Sequence, residues 1–140
     1  MSEEHARLRR RILLVDDDYG VRTLIEKLLE MGGYSVTAVG LARECLKRLS
    51  ESTFDLILLD HVLPDMDGFL LLQLVRHHPG ANQKPVIYLT GIADDTTKQR
   101  AFEIGIDDYV EKPFDPSDFL ARVARQIQLK DQFNAGTEEE

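Results

Sequence analysis

The sequence predicts a doubly wound α/β domain, in which helices cover both faces of a five-stranded parallel sheet. Short, unbroken apolar runs alternate along the chain with segments whose apolar residues recur at helical spacing. Unbroken apolar runs are typical of strands buried on both faces, as parallel strands are. Strands that alternate with helices favour parallel pairing through right-handed crossovers. The length of 140 residues suits one such domain.

The first half of the chain supplies three predicted strands and two predicted helices. The strands cover residues 12–15, 34–39 and 54–59, and the third is almost wholly apolar. Gly32 and Gly33 end the first helix. The two helical stripes are Val21, Leu24, Ile25, Leu28 and Leu29, and then Ala42, Cys45, Leu46 and Leu49.

The second half repeats this alternation. Its pattern predicts a helix over 69–77, a strand over 85–89, a helix over 96–104 and a short strand over 107–111. The last helix begins at Asp115-Pro116-Ser117-Asp118, where aspartate can cap the helix, proline suits its first turn and a second aspartate favours its positive end. Its buried stripe is Phe119, Leu120, Val123 and Ile127.

We expect one folded unit over residues 11–130, with an N-terminal extension over 1–10 and a C-terminal tail or linker over 131–140. The last segment carries Gly136 and three terminal glutamates, which is typical of a frayed chain end.

Charge and hydropathy argue against several classes of function. The formal net charge is −8, whereas direct nucleic acid binding needs clustered lysine and arginine. No apolar stretch approaches the ~20 residues of a membrane span, and the N-terminus lacks the apolar core of a signal peptide. We therefore expect a cytoplasmic protein without membrane insertion. The one basic run is interpreted as a solvated N-terminal face; it comprises Arg7, Arg9, Arg10 and Arg11.

Four of the predicted strands end in polar residues that can do chemistry. Asp16 and Asp17 follow the first strand, Asp60 the third, Thr90 the fourth and Lys112 the fifth. In an open parallel sheet, ligands bind outside the carboxyl ends of the strands, where the strand order reverses. If the order is 2-1-3-4-5 and neighbouring strands lie about 4.8 Å apart, these side chains meet in one crevice.

Three carboxylates in one crevice need a counter-charge. At about 5 Å and an effective dielectric of about 20, each like-charge pair costs roughly 3 kcal/mol. Three pairs therefore approach the whole stability of a domain. Lys112 can cancel one charge, and Mg²⁺ suits a site with few carboxylates and open water positions. Protonation of one acid is the alternative.

Such a crevice is equipped for phosphoryl transfer. Asp60 can attack phosphorus as the nucleophile. Mg²⁺, the Lys112 ammonium and the Thr90 hydroxyl can each take one phosphoryl oxygen and stabilise the developing charge. An isolated acidic pair is a weak signal, and Asp18 is interpreted as a helix cap. The combination of acids, hydroxyl and lysine at successive strand ends favours a functional site.

Four segments carry a family resemblance: ILLVDDD, LILLDHVLPDMDG, PVIYLTG and DDYVEKPF. In this order and spacing they resemble the receiver domains of two-component response regulators, from about Arg11 to Leu129. The resemblance implies a CheY-like, flavodoxin-like fold with the strand order 2-1-3-4-5.

The resemblance also implies roles for the acids of the crevice. It implies that Asp60 is the phosphoacceptor, that Asp17 binds Mg²⁺ directly, and that Asp16 acts largely through metal-bound water. Mn²⁺ is the alternative ion. The backbone carbonyl of Val62, two residues after the acceptor, is implied as a further metal ligand.

Three further residues match the phosphate-binding and switch positions of the family. Thr90 and Lys112 match the switch hydroxyl and the lysine. Tyr109 matches the aromatic residue that turns inward when Thr90 moves toward the phosphate. The Lys112–Pro113 bond is implied to be cis, which proline makes inexpensive. The family's turn after the acceptor is matched by Pro64, Asp65 and Gly68, with Gly68 as a backbone device.

Two positions tune the lifetime of the phosphoryl group in such sites. They lie two residues after the acceptor and two after the threonine, and they flank the path of hydrolytic water. Here they are Val62 and Ile92, which are apolar, branched and unable to orient a water. We expect slow self-dephosphorylation. His61 alternates to the other face and is expected at the rim of the site.

The resemblance implies a signalling switch and not an enzyme, apart from its own phosphoryl acceptance and slow dephosphorylation. The expected donor is a sensor histidine kinase or a histidine phosphotransfer protein. Phosphorylation is expected to change the surface of the fourth helix, fifth strand and fifth helix, which a downstream partner or output domain reads. The same surface allows a homodimer.

Other functions compete with this one. A phosphatase of the haloacid-dehalogenase type needs an acid two residues after its nucleophile, where this chain has Val62. A receiver-like module that binds partners without phosphorylation usually lacks an acid, the threonine or the lysine, and none is missing here. A flavin-binding relative is disfavoured because the acids after the first strand would repel a phosphate without metal.

Overall fold

The described part of the chain forms five strands and five helices in strict alternation. This computed structural model describes residues 9–139, with side chains described through residue 133, so Arg7 and most of the predicted N-terminal extension lie outside it. The strands are β1 (Arg11–Val15), β2 (Ser35–Val39), β3 (Leu56–Leu59), β4 (Val86–Thr90) and β5 (Asp108–Glu111). The helices are α1 (Tyr19–Met31), α2 (Ala42–Glu51), α3 (Gly68–His77), α4 (Asp95–Ile104) and α5 (Pro116–Glu139).

The strands pair in parallel in the order β2-β1-β3-β4-β5, as predicted. Val15 at the end of β1 pairs with Val39 on one side and with Leu59 on the other. Tyr88 of β4 pairs with Leu59 and with Tyr109 of β5. These registers bring the carboxyl ends of β1, β3, β4 and β5 to one edge of the sheet.

Two hydrophobic cores explain why the strands read as unbroken apolar runs. Successive strand residues point to opposite faces, and helices cover each face. Burial raises the pKa of the Cys45 thiol to about 12, as suits an inert core residue. The core under α2, α3 and α4 includes Leu13, Val15, Cys45, Ile57, Leu59 and Leu72. The core under α1 and α5 includes Ile12, Leu14, Ile25, Leu56, Leu58 and Phe119.

Four of the five described helices are capped by the aspartate that immediately precedes them. Each carboxylate accepts a backbone N–H of the first helical turn, which satisfies a donor without an intrahelical partner. The predictions for Asp18 and Asp115 are confirmed. The helix α2 differs, since it begins after Leu41, whose side chain makes no capping bond. The capping aspartates are Asp18, Asp67, Asp94 and Asp115.

The last helix is longer than we expected. Residues 131–139, predicted as a tail or linker, continue α5 to Glu139. They contain no proline and a single glycine, which a helix tolerates at about 1 kcal/mol. The guanidinium of Arg10 lies 2.8 Å from the carboxylate of Asp131 on this helix. Within the described part of the chain, no helix combines the length and apolarity that a bilayer span requires.

Arg76 ties together the edge of the sheet opposite the polar strand ends. Its guanidinium donates to the carbonyls of Gly105 at 2.5 Å and Lys84 at 2.8 Å, and to the carboxylate of Asp107 at 3.0 Å. Asp107 also accepts the backbone N–H of Val86 at 2.8 Å. Burial lowers the pKa of Arg76, and the neighbouring Asp107 opposes this effect.

Replacing Arg76 with methionine should lower the free energy of unfolding by about 2–4 kcal/mol, because the backbone carbonyls of Ala81, Lys84 and Gly105 all lose this donor. Urea denaturation followed by circular dichroism measures the loss. Arg122→Met is the matched control. The Arg122 side chain is 41% exposed and pairs with Asp108 near the surface, where an ion pair contributes about 0–1 kcal/mol. Equal losses in the two variants would contradict the assignment.

Candidate functional site

The polar strand ends meet in one crevice, as the strand order predicts. The backbone ladder fixes their positions, since the N–H of Asp60 donates to the Val15 carbonyl at 3.0 Å. On the other side, the N–H of Lys112 donates to the Thr90 carbonyl at 2.9 Å. The sheet itself therefore aligns residues that are far apart in the chain.

Three carboxylates share this crevice. One oxygen from each of Asp16, Asp17 and Asp60 lies within 4.8 Å of the other two. Asp16 is fully buried and Asp60 is 7% exposed, whereas Asp17 faces solvent. Asp16 also accepts the backbone N–H of Asp18 at 2.9 Å, which holds the acidic segment in a tight turn.

Lys112 bridges two of the three acids. Its Nζ lies 2.5 Å from Oδ2 of Asp16 and 2.9 Å from Oδ2 of Asp60. Burial lowers the pKa of Lys112, but the hydrogen bonds to both carboxylates outweigh burial and raise the pKa overall. Burial raises the pKa of Asp16, and its bonds from Lys112 and from the Asp18 amide offset this only in part. The Lys112 ammonium thus forms ion pairs with both Asp16 and Asp60.

The donor set of the crevice fits a hard divalent cation. Carboxylate oxygens are the ligands that Mg²⁺ prefers. Three carboxylates face one ammonium, so an excess of negative charge remains when all four groups are ionised. The N–H of Val62 donates to Oδ1 of Asp60 at 3.2 Å, so the backbone of Val62 lies beside the Asp60 carboxylate.

The predicted switch residues Thr90 and Tyr109 both contact the backbone of Ile92. Oγ1 of the buried Thr90 accepts the N–H of Ile92 at 3.4 Å. The hydroxyl of Tyr109 donates to the carbonyl of Ile92. The Tyr109 ring is buried, with its centroid 6.0 Å from that of Tyr88 and 5.8 Å from Nζ of Lys98. The backbone of Ile92 therefore connects Thr90 at the end of β4 to the Tyr109 side chain on β5.

His61, which the sequence predicted at the rim of the site, is half-buried and packs against the start of α3. Its ring centroid is 4.5 Å from that of Phe69, and its Nδ1 is 3.3 Å from the hydroxyl of Tyr88. Tyr88 donates that hydroxyl proton to the carbonyl of Gly68 at 2.9 Å. A Cβ at Gly68 would lie 2.2 Å from the His61 carbonyl oxygen, which confirms Gly68 as a backbone device. The Lys112–Pro113 bond is cis.

The two predicted tuning positions lie in the loops that follow β3 and β4. Val62 is two residues after Asp60 and is 55% exposed. Ile92 is half-buried and is held by Thr90 and Tyr109. Both side chains are apolar, and neither offers a hydrogen bond to an incoming water.

Two supporting residues were missed by the sequence analysis. Arg22 of α1 donates to the backbone carbonyl of Asp16 at 2.7 Å and lies 5.5 Å from the Tyr19 ring centroid. Asp65, assigned only to a turn, accepts two backbone N–H groups of α2. Neither residue directly follows a strand, so the pattern that found the crevice could not find them. The side-chain contact of Arg22 also requires space at Gly40, where a Cβ would lie 3.0 Å from Nη1.

Comparison with known sequences identifies a family. A family model described as "Response regulator receiver domain" matches residues 12–124. The "Transcriptional regulatory protein GltR" of Pseudomonas aeruginosa is 40% identical over 114 residues, which cover 81% of this chain and 47% of that protein. The chain spans about half the length of the curated relatives that it matches.

Solved structures agree with the sequence comparison. A CheY-like response regulator receiver domain protein from Methanospirillum hungatei JF-1 superposes with a TM-score of 0.83 at 31% identity, covering 89% of this chain and 98% of that chain. The BeF3-activated N-terminal receiver domain of Klebsiella pneumoniae RstA superposes with a TM-score of 0.79 at 30% identity, covering 84% and 98%. Both domains are matched over nearly their whole length.

The raised pKa of Asp16 predicts a specific pH dependence. The native state holds this proton more tightly than the unfolded chain does. The resulting stabilisation is present below the ordinary value of 3.8 and is lost as the pH rises through the raised pKa. Replacing Asp16 with asparagine should therefore increase the free energy of unfolding at pH 7 in metal-free buffer, because the variant has no charge to bury at this position.

Urea denaturation of the wild type and the Asp16→Asn variant between pH 4 and 8, with a chelator present, measures this difference. The gap between the two proteins should widen as the pH rises. Asp17→Asn serves as the control, because Asp17 is exposed. A gap that stays constant with pH would show that burial of the Asp16 charge does not limit stability.

Proposed function

Because this chain belongs to the response regulator receiver domain family, we propose that it is a phosphorylation-dependent switch whose phosphoacceptor is Asp60. One observation carries the proposal. The Asp60 carboxylate lies in a crevice with two further acids and within 2.9 Å of the Lys112 ammonium. A nucleophile, charge-stabilising groups and metal-type ligands are thus assembled at one point of the sheet.

The proposed donor is a phosphohistidine on a sensor histidine kinase or a histidine phosphotransfer protein. Asp60 attacks phosphorus, so a P–O bond forms as the P–N bond breaks, and the bonding electron pair stays with the imidazole nitrogen. Lys112 and the Thr90 hydroxyl each take a phosphoryl oxygen, which stabilises the charge of the transition state. Lys112 can do so by giving up one of its two carboxylate contacts.

We propose that Asp16, Asp17 and Asp60 hold Mg²⁺, with Mn²⁺ as the alternative, and that the backbone carbonyl of Val62 is a further ligand. When bound, the ion supplies positive charge to the phosphoryl oxygens. The three clustered carboxylates and the Val62 backbone beside Asp60 support this assignment.

The proposed signal leaves the crevice through Thr90 and Tyr109. When the Thr90 hydroxyl turns to a phosphoryl group, it leaves the backbone of Ile92, which Tyr109 also contacts. The surface of α4, β5 and α5 then changes, and a partner that binds one state better shifts the population.

We further propose three candidates that could bind this surface. The candidates are a downstream partner, an output domain, and a second copy of the chain bound through α4, β5 and α5. A relative named as a transcriptional regulatory protein supports an output outside residues 11–130, the proposed receiver unit. In this proposal the chain itself does not bind nucleic acid, works in the cytoplasm and turns over no substrate beyond its own phosphoryl group.

Acetyl phosphate with Mg²⁺ should add one phosphoryl group to the protein, because the crevice carries its own catalytic groups. Intact mass spectrometry detects the adduct. It should vanish in Asp60→Ala and when a chelator is added, and it should persist in Asp131→Ala, which removes a surface aspartate paired with Arg10. A folded protein that binds Mg²⁺ but takes no phosphoryl group would favour the phosphorylation-independent binding module.

The phosphoryl lifetime should shorten several-fold when Val62 and Ile92 are both replaced by alanine, because smaller side chains admit the hydrolytic water. The decay of the phosphoprotein mass after removal of acetyl phosphate measures this lifetime. Leu70→Ala, which truncates an exposed apolar side chain on α3, is the matched control. An unchanged lifetime in the double variant would rule out steric shielding.

A further inference from the structure

We infer that Asp65 is a positioning residue: by binding the N-terminus of α2, it holds the loop that carries Asp60 and Val62 in the arrangement that metal binding and phosphoryl acceptance need. This inference rests on the proposed function of the crevice. It concerns a residue that touches neither the phosphoryl group nor the metal and acts through the loop.

The helix α2 takes its cap from another part of the chain. Leu41, which precedes it, has an extended backbone and makes no side-chain capping bond. Oδ1 of Asp65 accepts the N–H of Ala42 at 2.9 Å, and Oδ2 accepts the N–H of Arg43 at 3.0 Å. A carboxylate at this point satisfies two free donors and meets the positive end of the helix dipole.

The same carboxylate fixes the middle of the loop between β3 and α3. The loop is closed at its base by the antiparallel bridge between Val62 and Asp67. Asp67 caps α3 through the N–H groups of Phe69 and Leu70, which anchors the far end. Asp65 lies within this closed loop and ties it sideways to α2.

The support that Asp65 binds is itself rigid. Ala42 and Cys45 of α2 are buried in the core beneath the sheet, so the N-terminus of this helix has a fixed position. Slight burial raises the pKa of Asp65, but the amides of Arg43 and Ala42 and the charge of Arg43 outweigh it, so the pKa is lowered overall. The Asp65 carboxylate that binds α2 therefore stays ionised at neutral pH.

Asp65 has two roles that can be separated experimentally: it caps α2, and it holds the loop between β3 and α3. A new cap on α2 would replace the first role but not the second. In Asp65→Ala both roles are lost. Adding Leu41→Ser gives α2 a cap of its own, since serine is a favoured N-cap residue, but it leaves the loop untied. The single variant Leu41→Ser corrects for the lost packing of Leu41. Asp65→Asn keeps one acceptor oxygen and should fall between the wild type and Asp65→Ala.

The test measures three quantities in these variants: the urea midpoint, the Mg²⁺ dissociation constant by calorimetry, and the rate of phosphoryl gain from acetyl phosphate. The Mg²⁺ constant should rise about tenfold in Asp65→Ala, as for other residues that orient metal ligands. In the Leu41→Ser/Asp65→Ala double variant the midpoint should return to that of Leu41→Ser, while Mg²⁺ affinity and rate stay impaired. If the local cap restores all three, Asp65 is only a cap and the inference is overturned.

Amide hydrogen exchange of metal-free protein gives a readout that does not depend on chemistry. Exchange at Val62 should accelerate in Asp65→Ala and in the double variant, because the loop is released in both. A wild type that neither binds Mg²⁺ nor gains a phosphoryl group would overturn the proposed function and this inference together. A wild type that does both, beside an Asp65→Ala variant with unchanged affinity, rate and exchange, would overturn this inference alone.

Discussion

Lys112 places one ammonium between two buried carboxylates, 2.5 Å from Asp16 and 2.9 Å from Asp60. The three residues come from the ends of β5, β1 and β3, so this contact spans the carboxyl edge of the sheet from β1 to β5, across four neighbouring strands. Without the ammonium, two desolvated like charges would face each other, which a domain of ordinary stability cannot easily bear. With it, both buried carboxylates are paired with an ammonium, and the Asp17 carboxylate remains exposed.

Aromatic side chains next to the crevice pack against one another in a row. The row runs from Phe69 on α3 to Tyr109 on β5, with centroid separations of 4.5 Å from Phe69 to His61, 5.7 Å from His61 to Tyr88 and 6.0 Å from Tyr88 to Tyr109. Tyr88 is fully buried at its centre. A close-packed row does not deform smoothly, so a displaced Tyr109 requires its neighbours to repack as a set.

Most of the crevice was predictable because each of its residues follows an apolar strand, and parallel strands deliver their ends to one edge. The parts that were not predictable depend on contacts between distant segments. Asp65 meets Ala42 across 23 residues, and nothing near either position signals the other. The extension of α5 was missed for a different reason. Gly136 disfavours a helix whereas the glutamates after it favour one, so the composition of this segment does not decide where the helix ends.

Much of the acidic charge behind the net charge of −8 has a structural place. Asp18, Asp67, Asp94 and Asp115 cap their own helices, and Asp65 caps α2, so five carboxylates sit where helix dipoles favour negative charge. Three more form the crevice. Phosphorylation would replace one of these carboxylate charges with a group carrying nearly −2. Lys112 lies 2.9 Å from Asp60, so its ammonium is beside the carboxylate that the proposed phosphorylation would change.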